Sequence, residues 1–253
     1  MAGVACFIRF DSGVLPEEGA QIALPEDEAH HIARVLRLRT GDAMEVFDGE
    51  GHVWSSRLEE VGKRVVSVSL GPCTRYSRRG PLRVLAQAVP KGKAFEGLIR
   101  HVTEIGVDVI VPLITEHSEV RFDGARELKK RERWESIAVE ACKQSKNPFL
   151  PKIHAPIAFK DGLAQLKDEK TLRLVGSLES GASWVDGVLD EQLNDQDSVC
   201  WLIGPEGDFS RGEYALAREQ SFVPVKLAQH VLRVETAALY AWSVTDAAIN
   251  RRF

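Results

Sequence analysis

Hydrophobic positions change their spacing along this chain. In the first 75 residues they form short runs broken by turn formers: Phe7 to Phe10 opens a strand, Met44 to Phe47 runs into Asp48-Gly49-Glu50-Gly51, and Val53 to Leu58 returns beside it. Glycine tolerates positive φ, so the tetrapeptide reads as a tight, solvated hairpin tip. Val65, Val66, Val68 and Leu70 interleave with Ser67 and Ser69 as in a half-buried strand that Gly71-Pro72 interrupts. Asp27 to Arg37 reads as a short helix with Ile32, Val35 and Leu36 inward and Arg34 and Arg37 outward. A small barrel or sandwich fits these elements.

From Pro81 onward, short apolar runs alternate with amphipathic helices. Leu82 to Val89 reads as a strand, Phe95, Leu98, Ile99, Val102 and Ile105 recur at helical spacing, and Val107 to Pro112 forms the next strand of a βαβ unit. Arg126 to Gln144 is a helix, since Trp134, Ile137, Ala138 and Ala141 recur at i, i+3, i+4 and i+7, and Pro148 and Pro151 stop it. Leu172 to Val175, Val199 to Ile203 and Phe222 to Leu227 read as core strands, and Ser210 with Glu213 forms a capping box. The last helix starts near Glu235 and sets Ala237, Ala241, Val244 and Ala248 on one face, small enough for close packing within the domain or across a dimer. The fold class is α/β, a sheet covered by helices. The polar stretch Tyr76 to Pro81 is the join, giving domains 1–75 and 76–253.

Of the 253 residues, 44% are hydrophobic and 28% charged, which implies a packed core and excludes a disordered or collagen-like chain. No apolar run approaches the roughly 20 residues that span a bilayer, and Met1 to Asp11 lacks the pattern of a secretory signal. Cys6, Cys73, Cys142 and Cys200 have no paired spacing, so they read as reduced thiols of a cytoplasmic protein without a metal site. The net charge of -4 argues against a surface that is basic throughout but leaves room for a local basic face.

Two loops and one charge set are candidates for chemistry. Ile203 to Ser210 (Ile-Gly-Pro-Glu-Gly-Asp-Phe-Ser) lies between a strand and a capped helix, where α/β sheets commonly hold ligands. Gly204 and Gly207 permit close approach and unusual dihedrals, Pro205 stiffens the loop, and Glu206 accepts hydrogen bonds; an ordinary tight turn fits equally well. In Leu227 to Ala238, Arg233 suits a phosphate or carboxylate, and Glu235 and Thr236 suit anchoring the helix entrance; a surface Arg-Glu pair with a cap is the plainer alternative. Arg83, Lys91, Lys93, Lys143 and Lys146, extended by Arg9, Arg34 and Arg37, suit RNA phosphates or a solvated face. Zinc-protease, serine-hydrolase, P-loop and dinucleotide-binding motifs are missing.

His31-Ile32-Ala33-Arg34-Val35-Leu36-Arg37, the Asp48 to Gly51 turn, Thr103 to Val107 with Ile110 and Pro112, Arg133-Trp134 through Gln144-Ser145, Ile203 to Gly207, and Leu232 to Ala237 occur in that order. With them the chain resembles, over nearly its full length, the RsmE family of 16S ribosomal RNA uridine-N3 methyltransferases of the SPOUT class. The resemblance implies an N-terminal PUA-like RNA-binding β-barrel, a C-terminal trefoil-knot α/β domain and a homodimer. It implies S-adenosyl-L-methionine as cofactor, held by Leu202, Ile203, Gly204, Pro205, Glu206 and Gly207, by Leu227, Val231, Leu232, Val234, Thr236 and Ala237, and by Leu178 at an earlier sheet edge. The implied partner is 16S rRNA or the small ribosomal subunit.

On this reading Arg233 orients RNA or stabilises charge on the uracil carbonyls, Glu235 holds Arg233 or its loop, and Glu206 anchors the first loop or takes a proton. Some positions depart from the family pattern: Asp208 stands where a second glycine is common, Ala228 where glycine is frequent, and His101 and His117 where basic residues are usual. Lys143 and Lys146 flank Gln144-Ser145 differently, and Lys146 keeps charge without a guanidinium fork. The alternatives are a noncatalytic rRNA-binding or ribosome-assembly protein, and a SPOUT enzyme acting on another base.

Overall fold

The computed structural model of the chain describes residues 4–10, 14–62, 65–118, 124–166, 169–194 and 196–252. Residues 1–3 and 11 of the stretch read for a secretory signal lie outside the described residues. The chain divides into two units, Met1–Arg78 with Val139–Leu150, and Arg79–Ala138 with Pro151–Phe253. Among the described residues no helix is long and apolar enough to cross a membrane.

The first unit is built on β1 (Ala5–Phe7), β2 (Gln21–Ala23), β3 (Ala43–Phe47), β4 (His52–Val61) and β5 (Val66–Arg75), in the sheet order β1-β3-β4-β5-β2. β1 runs parallel to β3 and the other pairs are antiparallel. Alternation sets the inner face: Trp54, Ser56 and Leu58 of β4 and Val66, Val68 and Leu70 of β5 are buried, and the apolar ones pack with Cys6, Ile32, Met44 and Val46. Inward-facing Ser56 donates to the Met44 carbonyl at 2.9 Å, which offsets its burial. Gly71-Pro72 does not end β5. A register shift between Trp54 and Ser56 carries the strand on to Arg75, and a Cβ on Gly71 would stand 2.7 Å from Ser55 Oγ.

Two further expectations are corrected here. The Asp48 to Gly51 turn is packed rather than solvated: Gly51 N donates to the Pro148 carbonyl at 3.1 Å, Leu150 N donates to the Gly49 carbonyl at 2.8 Å, and a Cβ on Gly51 (φ +100°) would stand 2.6 Å from the Phe149 ring. The early helix is regular only as α1 (Glu26–His30). It widens into a π-helical turn over His31–Leu36 and ends at Arg37 with a left-handed φ of 55°. The wider turn rotates later residues outward, so Ile32 is buried while Val35 and Leu36 are 61% and 38% exposed.

The second unit contains β6 (Leu82–Ala88), α2 (Ala94–Ile105), β7 (Val109–Ile114), α3 (Gly124–Ser145), β8 (Lys152–Ile153), β9 (Ile157–Ala158) and α4 (Phe159–Gln165). It continues with β10 (Thr171–Gly176), β11 (Ser183–Trp184), α5 (Val185–Gln192), β12 (Ser198–Ile203), α6 (Arg211–Glu219), β13 (Val223–Lys226) and α7 (Val234–Asn250). From Val139 on, α3 groups with the first unit. The described strand pairs of the second sheet are all parallel, in the order β11-β13-β10-β12-β6-β7-β8, with β9 also on β7.

β12 is buried at every position, as a parallel strand covered on both faces must be. Cys200 and Leu202 join the core that includes Leu163 of α4 and Tyr214 and Ala217 of α6. Trp201, between them, turns to the opposite face and donates its indole N–H to Thr245 of α7 at 2.9 Å. On α2, Phe95, Leu98, Ile99 and Val102 are buried, each contributing about 1.5–3 kcal/mol by leaving water, and Phe95 meets Trp134 edge-on at 4.6 Å. The buried stripe of α7 is Val234, Ala238, Ala241, Trp242, Thr245, Ala248 and Ile249; Ala237 and Val244, expected on that face, are half-buried at its margin. All four cysteines are free, and burial pushes the Cys142 and Cys200 thiols up to about 12, which keeps both from acting as thiolates at neutral pH.

Candidate functional site

β13, β10 and β12 are neighbours in the sheet, so the loops leaving their C-terminal ends stand side by side. The loop after β12 is a tight turn in which Asp208 N donates to the Pro205 carbonyl at 3.0 Å. Neither Gly204 nor Gly207 has the positive φ expected of them; Asp208 has it, at +59°. Gly204 serves close approach instead, since a Cβ there would stand 3.2 Å from the Phe209 ring, whereas one on Gly207 would make an ordinary contact with His117 at 3.4 Å.

Side chains then fix this turn. Asp208 Oδ1 accepts from Phe209 N and from the Tyr214 hydroxyl, both at 2.8 Å. Glu206 Oε1 accepts from Lys91 N at 3.1 Å, tying the turn to the β6–α2 loop. The expected capping box is present: Glu213 N donates to Ser210 Oγ at 3.3 Å and Ser210 N to Glu213 Oε2 at 2.9 Å. His117 Nδ1 lies 2.9 Å from the Asp208 carbonyl, a hydrogen bond that raises the imidazole above its ordinary value.

The loop after β13 leads into α7 with Arg233 as N-cap and no side chain capping the first turn. Among the described residues, the main-chain N–H groups of Ala228 to Leu232 have no acceptor within the chain. The loop after β10 starts at Gly176, where a Cβ would stand 3.1 Å from Ile203 Cδ1, and Ser177 N donates to the Val225 carbonyl at 2.9 Å.

These three loops enclose a cavity of about 930 Å³. Arg233, Glu235 and Glu206 line it, as do Leu178, Ile203, Gly204, Pro205, Leu227, Val231, Leu232, Val234 and Ala237. Leu202, Gly207 and Thr236 do not: Leu202 belongs to the sheet core, Gly207 faces His117, and Thr236 lies on the exposed side of α7. Trp184 and Lys226, not singled out in the sequence, also line the cavity; Lys226 Nζ sits 4.6 Å from the Trp184 ring centroid. Their pairing across β11 and β13 leaves no trace in local spacing.

The cavity suits S-adenosylmethionine. Its size is within the range of small-molecule sites, Leu178, Ile203, Leu227 and Val231 supply apolar surface for an adenosine, and the unengaged amides of the Ala228 to Leu232 loop and the uncapped α7 terminus supply donors. Gly176 keeps one wall open where a side chain would intrude.

The basic residues divide. Arg9, Arg34, Arg37, Lys91 and Lys93 are exposed. Arg83 and Lys143 are not surface cations: Arg83 pairs with Asp246 at 2.7 Å with its side chain 12% exposed, and Lys143 pairs with Glu28 at 2.9 Å with its side chain 11% exposed. Lys143 reaches a buried carboxylate, and Arg83 a partly exposed one on α7. Lys146 is exposed and lies 3.5 Å from Glu45.

Residues 79–246 match the family model described as an RNA methyltransferase domain, and residues 24–70 match one described as an RNA methyltransferase PUA domain. A Synechocystis protein named ribosomal RNA small subunit methyltransferase E is 33% identical over 94% of this chain and 77% of its own length. The protein of that name from Bacillus subtilis is 31% identical over 90% of each chain. Among solved structures, a Legionella pneumophila methyltransferase with bound S-adenosylmethionine matches with a TM-score of 0.86 at 29% identity, over 98% of both chains.

Proposed function

Because this chain belongs to the RNA methyltransferase family that carries a PUA domain, we propose that it transfers a methyl group from S-adenosyl-L-methionine to N3 of a uridine in 16S ribosomal RNA. Its family membership makes it an S-adenosylmethionine-dependent rRNA methyltransferase, and the proposal adds the base and the atom. The observation that carries the reading is the convergence of the Gly204 and Arg233 loops, distant in sequence, on one cavity at the strand ends. A noncatalytic ribosome-assembly role gives no reason for that cavity.

When bound, the cofactor supplies a methyl already activated by its sulfonium, which leaves the chain to align donor and acceptor and to assist loss of the N3 proton. Arg233 is exposed at the start of α7, where its guanidinium and the positive end of the helix can face a phosphate or a uracil carbonyl. Among the described residues no ion pair joins Glu235 to Arg233, so Glu235 acts from its own place in the first turn, where a carboxylate steadies the helix terminus. Glu206 holds Lys91 N and serves as an anchor of the turn. In this reading residues 1–75 bind RNA, residues 76–253 carry the transfer, and the chain works in the cytoplasm as a homodimer on the small subunit, with the exposed Tyr240 of α7 and the half-buried small residues beside it, Ala237 and Val244, favouring close packing with a second copy.

Incubation with labelled S-adenosylmethionine and either protein-free 16S rRNA or assembled small subunits tests this. The expected result is label on one uridine with the fragmentation pattern of an N3 methyl. Label on another base or atom, or RNA binding without transfer, overturns it.

A further inference from the structure

Two walls of the cavity are held from behind by one helix. α6 carries Tyr214 and Arg218 four residues apart and so on one face, with the Arg218 guanidinium carbon 5.9 Å from the Tyr214 ring centroid. Tyr214 donates its phenol to Asp208 Oδ1 at 2.8 Å, and Arg218 Nη2 pairs with Glu179 Oε1. Asp208 closes the turn after β12, Glu179 belongs to the loop after β10, and both line the cavity, whereas neither Tyr214 nor Arg218 does. We propose that Tyr214 and Arg218 are positioning residues that set the separation of these two loops and thereby the affinity for the methyl donor, an inference that rests on the methyltransferase reading.

Asp208 needs such a hold. A residue other than glycine in the left-handed region is under strain, and here its carboxylate takes two donors while its carbonyl takes His117. Tyr214 thus secures the residue that carries the turn's positive φ. Burial pushes the Tyr214 phenol up, and the Asp208 carboxylate adds to the effect, so the hydroxyl stays a donor at working pH.

On the other side, Glu179 N donates to Ser177 Oγ at 3.2 Å, so the loop that Arg218 grips is itself closed. The Arg218–Glu179 pair is solvent-exposed, and such pairs contribute little to folding. Its loss should therefore be read in the loop rather than in the fold.

The test measures S-adenosylhomocysteine binding by calorimetry, the KM for S-adenosylmethionine, kcat at saturation, and the melting temperature without ligand. Tyr214→Phe, which keeps the ring, is expected to weaken binding about tenfold and raise KM equally, the effect of losing one hydrogen bond to a charged group, with kcat changed less than about twofold. Asp208→Gly should do the same, and the double variant should be no worse than either single one, because the two share one bond. Arg218→Met should also weaken binding at unchanged melting temperature, and Arg218→Lys should restore most of it. Should Tyr214→Phe melt early, Asp208→Gly and Arg218→Met carry the test. Wild-type affinity in these two variants, or fully additive losses in the double variant, overturns the proposal. Failure of the unaltered chain to bind S-adenosylhomocysteine overturns the methyltransferase reading instead.

Discussion

Arg83 and Asp246 are joined at 2.7 Å between Nη2 and Oδ1, linking the strand that opens the α/β unit to its last helix. Arg83 Nη1 also donates to the Ile105 carbonyl at 2.9 Å, and Arg83 N donates to Asp108 Oδ2 at 2.9 Å. The guanidinium is thus committed inside the unit. Arg83→Met should lower stability by about 2–3 kcal/mol, since it strands a partly buried carboxylate and an acceptor carbonyl, while the salt dependence of RNA binding stays at the wild-type slope. Chemical denaturation and a binding series in salt check the two halves; a reduced salt slope would return Arg83 to the RNA surface.

Lys143 makes the same point in the first unit. Its ammonium lies 2.9 Å from Glu28 Oε1 and 2.9 Å from Glu140 Oε1. Burial works against the charge, but the hydrogen bonds and charges of Glu140 and Glu28 outweigh it and hold the lysine above its ordinary value of 10.5. A raised lysine contributes stability in full below the unfolded value and loses it as pH rises through the folded one. Lys143→Met, which leaves Glu28 buried and unpaired, should cost about 3 kcal/mol. The gap to wild type should be constant from about pH 6 to 9 and narrow only above the ordinary lysine value. Denaturant titrations across pH measure it, and a gap closing near neutrality would refute the assignment.

Glu206 separates an anchor from a base. Its Oε1 holds Lys91 N at 3.1 Å, a task that a neutral amide oxygen also performs. Glu206→Gln should therefore keep methyl transfer within about threefold of wild type, and Glu206→Ala should lose about tenfold in cofactor affinity, the scale of one hydrogen bond. A general base behaves otherwise, losing about 10²–10⁴-fold in turnover in the Gln variant at normal affinity.

Much of this was legible from spacing. Period-2 alternation of Val66, Val68 and Leu70 with Ser67 and Ser69 marked a half-buried strand, helical periodicity placed Phe95, Leu98 and Ile99, and Ser210 with Glu213 marked a helix start, because each is a local rule acting over a few residues. The exposure of Val35 and Leu36 was not legible, since it depends on a π-helical turn, and the packed Asp48 to Gly51 turn depends on Phe149, about a hundred residues away. Arg83 and Lys143 look like surface cations in sequence because nothing local announces Asp246 or Glu28. For the site, Gly204 and Arg233 stand out by composition, whereas Trp184 and Lys226 reach the cavity only through strand pairing. Chain threading, including the knot implied by resemblance, has no periodicity at all.

Arg233 and Lys93 should fail in different ways. Both are exposed N-caps, but Arg233 opens α7 at the cavity wall and Lys93 opens α2 without lining the cavity. If Arg233 acts on charge that develops during transfer, Arg233→Ala should lower kcat by about 10²-fold, with S-adenosylhomocysteine affinity unchanged and RNA affinity reduced at most modestly. Arg233→Lys should recover only part, because an ammonium cannot bridge two oxygens as a guanidinium fork does. If Lys93 meets a phosphate, Lys93→Ala should weaken binding to every RNA alike and reduce the salt slope by about 1, leaving kcat at saturating RNA intact. Single-turnover transfer and binding at several salt concentrations distinguish the two. An Arg233→Ala variant with a reduced salt slope but normal single-turnover rate would make it a docking cation like Lys93, and would move the chemistry away from the start of α7.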